Sequence, residues 1–138
     1  DPFNLALSKK VSVKVNDKTS ADVIFSGSTY GDNVWTADSA GSRTFDIYLG
    51  GTYRISRYVL KHAGVNEENS DKNNRDFTVS ASTDGENWTV LDERHDCRDD
   101  ITDVDVSKTA AKYVRLTVSK GGDDGVVRIA DMELYGEI

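Results

Sequence analysis

In the run TFDIYL at residues 44–49, every second residue is apolar, which sets Phe45, Ile47 and Leu49 on one face of an extended strand. The same period of two returns at 77–81, where Phe77, Val79 and Ala81 alternate with Thr78 and Ser80. It returns again at 113–118, with Val114, Leu116 and Val118 as the apolar set, and near the start with Val11, Val13 and Val15. Residues 55–62 are apolar on both faces and fit a central, covered strand. Turn signals stand between these runs: Asn16-Asp17, Gly50-Gly51 (which ends the strand before it), Asp84-Gly85 and the cluster GGDDG at 121–125. Asp84-Gly85 closes a hairpin whose return strand is 88–91, with Trp88 in the core, and residues 126–135 make the last strand. No segment carries the period of an amphipathic helix. Many short strands with turns between them mean an all-β, antiparallel sandwich or barrel.

The chain of 138 residues is long enough for a real core and makes a single domain over 1–138. Its net charge is −7, from seventeen Lys and Arg against twenty-four Asp and Glu. That balance speaks against a nucleic-acid partner, which needs a basic face, and against acidic lipid surfaces. No apolar run approaches membrane-helix length and no basic-then-apolar leader is present, so membrane insertion is not expected. The lone Cys97 excludes an internal disulfide and a cysteine-rich zinc site, and reads as a small, partly buried residue. The chain opens at Asp1-Pro2-Phe3, which reads as a module excised from a larger multimodular protein, monomeric within it.

One stretch stands apart from the strand pattern. KHAGVNEENSDKNNRDFTV, at 61–79, is a long polar interval with no apolar residue between Val65 and Phe77. Long polar loops in compact domains tend to carry function. If 57–62 and 76–82 are antiparallel neighbours, His62 and Arg75 face each other across the loop mouth, with Asn73 and Asn74 beside them and Glu68 in the loop between. An imidazole, a guanidinium fork, amides and a carboxylate offer donors and acceptors in fixed directions, as a polyhydroxylated ligand requires. The competing reading is a solvated loop in which Arg75 pairs with Glu67 or Glu68. An aromatic platform for a pyranose face has three candidates: Tyr30 in the turn-rich FSGSTYGDNVW, the more exposed one, and Trp35 and Trp88, both of which fit the core better. No Gly-x-Ser-x-Gly elbow and no His-Glu-x-x-His pair occurs, so catalysis is the minority reading.

A third group is acidic. Asp22, Asp32 and Asn33 fall in the early loops, while Asp131 and Glu133, two apart on the last strand, share a face. Oxygen-rich loops closed by a distant carboxylate suit calcium, although the spacing is not that of an EF-hand, and plain surface acidity is the other reading.

NLALSKKVSV at 4–13, FDIYLGGTYRISRYVLKHAG at 45–64, NNRDFTVSASTDGENWTVL at 73–91, AKYVRLTV at 111–118 and VRIADMELYG at 127–136 occur in that order. Together they resemble the discoidin-like domains, or coagulation factor V/VIII type C domains. The nearest branch is the family 32 carbohydrate-binding modules of bacterial glycoside hydrolases. The resemblance implies an eight-stranded jelly-roll β-sandwich without catalysis and a shallow site built by loops at one end. The ligand it implies is a terminal sugar of galactose, N-acetylgalactosamine or N-acetylglucosamine type, bound by a secreted bacterial module that tethers an attached glycoside hydrolase to glycans. A structural calcium is also implied, closed by Asp131 or Glu133, with Asp22, Asp32 or Asn33 contributing. The early loop departs from the family's usual Asp-Gly-x-x-x-Thr-x-Trp. By the same resemblance, KHAG and NNRDF match the family's HAG and NTRDF elements, which marks His62, Asn73 or Asn74, and Arg75 as sugar contacts. Alanine at His62 or Arg75 is then expected to remove binding and leave thermal stability nearly intact. Discoidin-like folds also serve in protein–protein adhesion, which is the alternative function.

Overall fold

The computed structural model describes residues 3–7, 10–16, 21–25, 34–66 and 70–138. Within them the chain forms nine strands: β1 Phe3–Asn4, β2 Ser12–Val15, β3 Trp35–Thr36, β4 Arg43–Lys61, β5 Asp76–Ser82, β6 Thr89–Arg94, β7 Ile101–Lys120, β8 Arg128–Ile129 and β9 Asp131–Glu137. Short 3-10 turns are the only helical pieces among the described residues.

The frame is a long ribbon of β4 against β7. Residues 43–48 of β4 pair antiparallel with 113–118 of β7, and 53–61 pair with 101–111, with a register shift between the two halves. The shift falls at Gly50, whose φ of +77° suits glycine and whose added Cβ would lie 2.5 Å from the Cβ of Lys10. The glycine pair therefore bends the strand and does not end it, contrary to the break expected there. Around the first half of the ribbon stand β2, on β4, and β5 and β6, beyond β7; around the second half stand β9 and β1. Folded on itself, the ribbon turns the apolar faces of both halves toward one core. Phe45, Ile47, Leu49, Phe77, Val79, Val114 and Leu116 meet Ile55, Tyr58, Leu60, Met132 and Leu134 there. The Tyr58 hydroxyl crosses the sandwich to donate to Asp92 Oδ2 at 2.5 Å.

Three further expectations are corrected. β5 does not lie beside the second half of β4: it pairs with 113–120 of β7, the part that faces the first half of β4. The last strand is split: β8 pairs with β3 in a separate two-stranded sheet, and β9 starts at Asp131. Trp88 is half-buried on the surface, with the Arg115 guanidinium 4.1 Å above its ring and Arg115 bonded in turn to Asp46 at 2.6 Å. The Asp84-Gly85 hairpin stands as expected. Asp84 accepts the amides of Asn87 and Glu86, both at 2.8 Å, and these bonds hold its carboxyl far below the usual range.

This topology gives the sandwich two unlike ends. Phe3 pairs with Gly136 and Arg54 with Glu137 at one end, beside the hairpin turn. The other end carries the loops 37–42, 62–75, 95–100 and 121–127.

Candidate functional site

The loop end is built on buried polar side chains. His62 follows β4 and is 0% exposed, its ring 5.4 Å from that of Phe77. Asn74 fixes the imidazole's tautomer. The Asn74 amide oxygen accepts from the backbone N–H of Arg128 at 3.3 Å, and its Nδ2 donates to the Arg128 carbonyl at 2.8 Å and to His62 Nδ1 at 3.1 Å. Nδ1 is thus an acceptor, and the proton sits on Nε2, donating to Thr102 Oγ1 at 3.0 Å. Burial lowers the pKa of this imidazole to about 4, with the nearby Arg75 adding to the effect and Asp100 opposing it.

Asn73 and Arg75 work the same way from the start of β5. Asn73, also 0% exposed, accepts the Gly64 amide at 2.7 Å and donates to Asp100 Oδ1 and the Asp99 carbonyl. The glycine of KHAG is required by this contact, since a Cβ at Gly64 would lie 2.0 Å from Asp100 Oδ1. Arg75 is 2% exposed. Its guanidinium donates to the carbonyls of Asn73 at 2.9 Å, Asp71 at 3.2 Å and Cys97 at 3.3 Å, and to Asp123 Oδ1 at 3.0 Å. One side chain so joins three loops.

His62, Asn73, Asn74 and Arg75 do converge, but inward. Their hydrogen bonds run to loop backbone, to each other and to the side chains of Thr102, Asp100 and Asp123, and fully buried side chains have no reach to a ligand's hydroxyls. Their assignment as sugar contacts is therefore corrected: they brace the loops from beneath. The physical reason is that loops crossing a sandwich end bury backbone donors and acceptors that must find partners. Of the two readings of Trp35, platform and core, the structure bears out the core and removes the sugar contact: the ring is 4% exposed and edge-on to Phe45 at 5.0 Å. Glu68 and Tyr30 lie outside the described residues.

Above the braces, three loops are knitted into a rim. Gly41 N donates to the Gly125 carbonyl at 3.1 Å, and Asp123 N to the Asp71 carbonyl at 2.8 Å. Asp124 takes a bidentate Arg128 at 2.9 and 3.1 Å and Lys72 at 3.2 Å, with Arg128 as the main cause that holds its carboxyl far below the usual range. On the neighbouring loop Arg43 donates to Asp38 and Ser39. Lys72, Asp124, Asp38 and Ser39 thus present oriented donors and acceptors at the surface. Sequence reasoning passed over them: Asp124 lies in GGDDG, read as a turn alone, and Lys72, Asp38 and Ser39 were given no role.

A profile described as "NedA-like, galactose-binding domain", of the F5/F8 type C family, matches residues 12–116, most of the chain. The chain belongs to that family. Among solved structures, this F5/F8 type C domain is similar to the family 32 carbohydrate-binding module of EndoD from Streptococcus pneumoniae, with TM-score 0.82, 20% identity, and 96% and 99% of the two chains covered. It is similar also to two modules from Clostridium perfringens. One is the family 32 module of NanJ in complex with galactose (TM-score 0.79, 13% identity, 98% and 99% covered). The other was solved in complex with GalNAc-β-1,3-galactose (TM-score 0.79, 15% identity, 96% and 99% covered). At such identities the likeness establishes the β-sandwich fold. The sequence of this chain finds no match among curated proteins.

Of the acidic group, Asp131 and Glu133 share a face as expected, because both meet Lys61 Nζ, at 3.9 and 3.1 Å. Tyr135 donates to Glu133 at 2.6 Å. Two carboxylates compensated by a lysine fall short of the six to eight oxygens that calcium takes. No cluster of three or more potential ligands occurs among the described residues. Asp32, Asn33 and the Asp22 side chain lie outside them.

Proposed function

We propose that the domain is a carbohydrate-binding module that recognises a terminal sugar of galactose, N-acetylgalactosamine or N-acetylglucosamine type at its loop end. In this reading it has no catalytic role and tethers an attached glycoside hydrolase to glycans outside a bacterial cell, as a monomeric unit. Membership of a galactose-binding-like family supports the reading, as does the fold shared with modules solved in complex with galactose and GalNAc-β-1,3-galactose. The observation that carries it is the rim itself: loops locked from below by His62, Asn73, Asn74 and Arg75, with Lys72, Asp124 and Asp38 turned outward. A ready-made rim loses little conformational entropy on binding. Contact with a single sugar is small, so affinity per module is weak and tandem copies supply avidity.

Calorimetric titration with the three sugars tests the site. Lys72→Ala and Asp124→Ala are expected to weaken binding at least about tenfold, the loss of one good charged hydrogen bond. Tyr30→Ala and Glu68→Ala extend the test to the expected contacts beyond the described residues. Unchanged binding by all four variants would move the site elsewhere. Silence across a glycan array together with capture of a protein partner would favour the adhesion reading.

The reading also includes a structural calcium closed by Asp131 or Glu133, with Asp22, Asp32 or Asn33, whose side chains lie outside the described residues, supplying further ligands. Melting in excess calcium is expected to occur several degrees above melting in EGTA, as for any ligand that binds only the folded state. Coincident curves remove the ion from the proposal.

A further inference from the structure

Away from the loop rim, the outer face of the second layer opens into a cleft of about 500 Å³ lined by Ser56, Arg57, Asp105, Val106, Lys108 and Tyr135. Its cause lies in strand register. Between the pairs Ile55↔Thr109 and Arg57↔Asp105, β4 advances from 55 to 57 while β7 runs from 109 to 105. On the other side, Ile55 pairs with Gly136 and Arg57 with Tyr135, so β4 spends an extra residue, Ser56, against β9 as well. The ladder gives way on both sides at one point, and such bulges re-aim side chains where a ligand is met.

The groups around this gap hold one another in place without using up their bonding capacity. Asp103 takes Nε and Nη2 of Arg57 at 2.8 and 2.7 Å, and the guanidinium lies 4.6 Å from the centroid of the Tyr135 ring. The ring is fixed from its other end by the hydroxyl bond to Glu133. Lys108, well exposed, bonds Glu137 at 2.8 Å and keeps two further N–H groups. Asp105 is exposed and accepts no hydrogen bond from the described residues. Donors and acceptors therefore face the same opening, beside the apolar surfaces of Val106 and Tyr135.

The charges decide what such a cleft takes. Arg54, Arg57 and Lys108 are matched by Asp103, Asp105 and Glu137, so the cleft is locally neutral on a chain of net charge −7. An ionic ligand gains from one sign what it loses to the other. A neutral ligand with hydroxyls on its rim and C–H groups on its face meets a partner on every side, and the cleft has the size of ordinary small-molecule sites. We propose that this cleft is a second saccharide site, taking a neutral pyranose by its hydroxyls, with Asp105 as acceptor, Lys108 and Arg57 as donors, and Tyr135 and Val106 against the ring. It rests on sugars being the domain's ligands, but not on where the loop-end site lies. With two separate sites, one module bridges two glycan branches.

Amide shifts of the isotope-labelled domain, followed during titration with galactose, N-acetylgalactosamine and lactose, read both sites at once. The expected result is saturable shifts at 55–57, 105–108 and 135–137. Those shifts should need at least five times more sugar in Asp105→Ala and in Lys108→Ala, while shifts at the loop end stay as they were. Both side chains are exposed, so an otherwise unchanged spectrum confirms that each variant is folded. Shifts confined to the loop end with all three sugars overturn the second site and leave the first standing. Cleft shifts that neither substitution weakens overturn it too. Silence in both regions overturns the sugar reading and the cleft together.

Discussion

Arg75→Ala is expected to lower the stability of the domain by about 3–5 kcal/mol, since two buried carbonyls are each left unsatisfied at about 1–3 kcal/mol apiece. At this chain length that is a fall in Tm of about 10–15 °C. The reason is accounting of partners, not volume. With the guanidinium gone, the carbonyls of Asn73 and Cys97 lose their donor at a site that water reaches poorly, while that of Asp71 keeps only the Asp123 amide. Three loops lose their common tie at once. Arg75→Lys keeps the charge but not the fork, and should recover only a minor part of the loss. Thermal or urea melts of both variants check this. An alanine variant melting within a degree or two of the parent would show that the loops hold themselves. The expectation of nearly intact stability, which followed from treating Arg75 as a ligand contact, is reversed by its burial.

Acid is expected to act through His62. The folded domain holds this imidazole neutral down to about pH 4, whereas the unfolded chain protonates it near its ordinary value of about 6.5. The unfolded state therefore binds the extra proton first. The contribution is fully present above about pH 6.5 and is lost as pH falls toward 4. Between pH 7 and 5 the loss is about 2 kcal/mol, at about 1.4 kcal/mol per unit below 6.5. The carboxyls held low by their partners, Asp84 and Asp124 among them, act lower, as pH falls through the ordinary carboxyl range near 4. Urea midpoints at pH 7 and pH 5 separate the two windows. The parent should lose stability across that interval, and His62→Gln, uncharged at both values, should lose far less. Equal slopes in the two proteins would place the acid sensitivity elsewhere.

The fold was legible wherever alternation was clean. Phe45, Ile47, Leu49, Val79, Val114 and Leu116 are all core, as their spacing says. What the spacing hid was length. Residues 101–106 alternate too, but the segment received no assignment, since Asp103 and Asp105 give its outward face the composition of solvated chain. Gly50-Gly51 misled for a related reason: a glycine pair that bends a strand and one that ends it are the same two letters. At the loop end, the residue types were read correctly and their direction was not. A histidine, two asparagines and an arginine are what a hydroxylated ligand needs, and equally what a buried loop backbone needs. Only burial separates the two uses. The outward rim, built by Lys72 with Asp124 and Arg128, joins residues 52 apart at its first pair, which no local pattern displays.

The bent ribbon has one last effect. Because β4 and β7 each run through both layers, neither layer owns its central strands. A half-sandwich cannot be shed while the other half survives, since melting either one strips hydrogen bonds from strands the other depends on. The domain is therefore cooperative by its very wiring, held or lost as a whole.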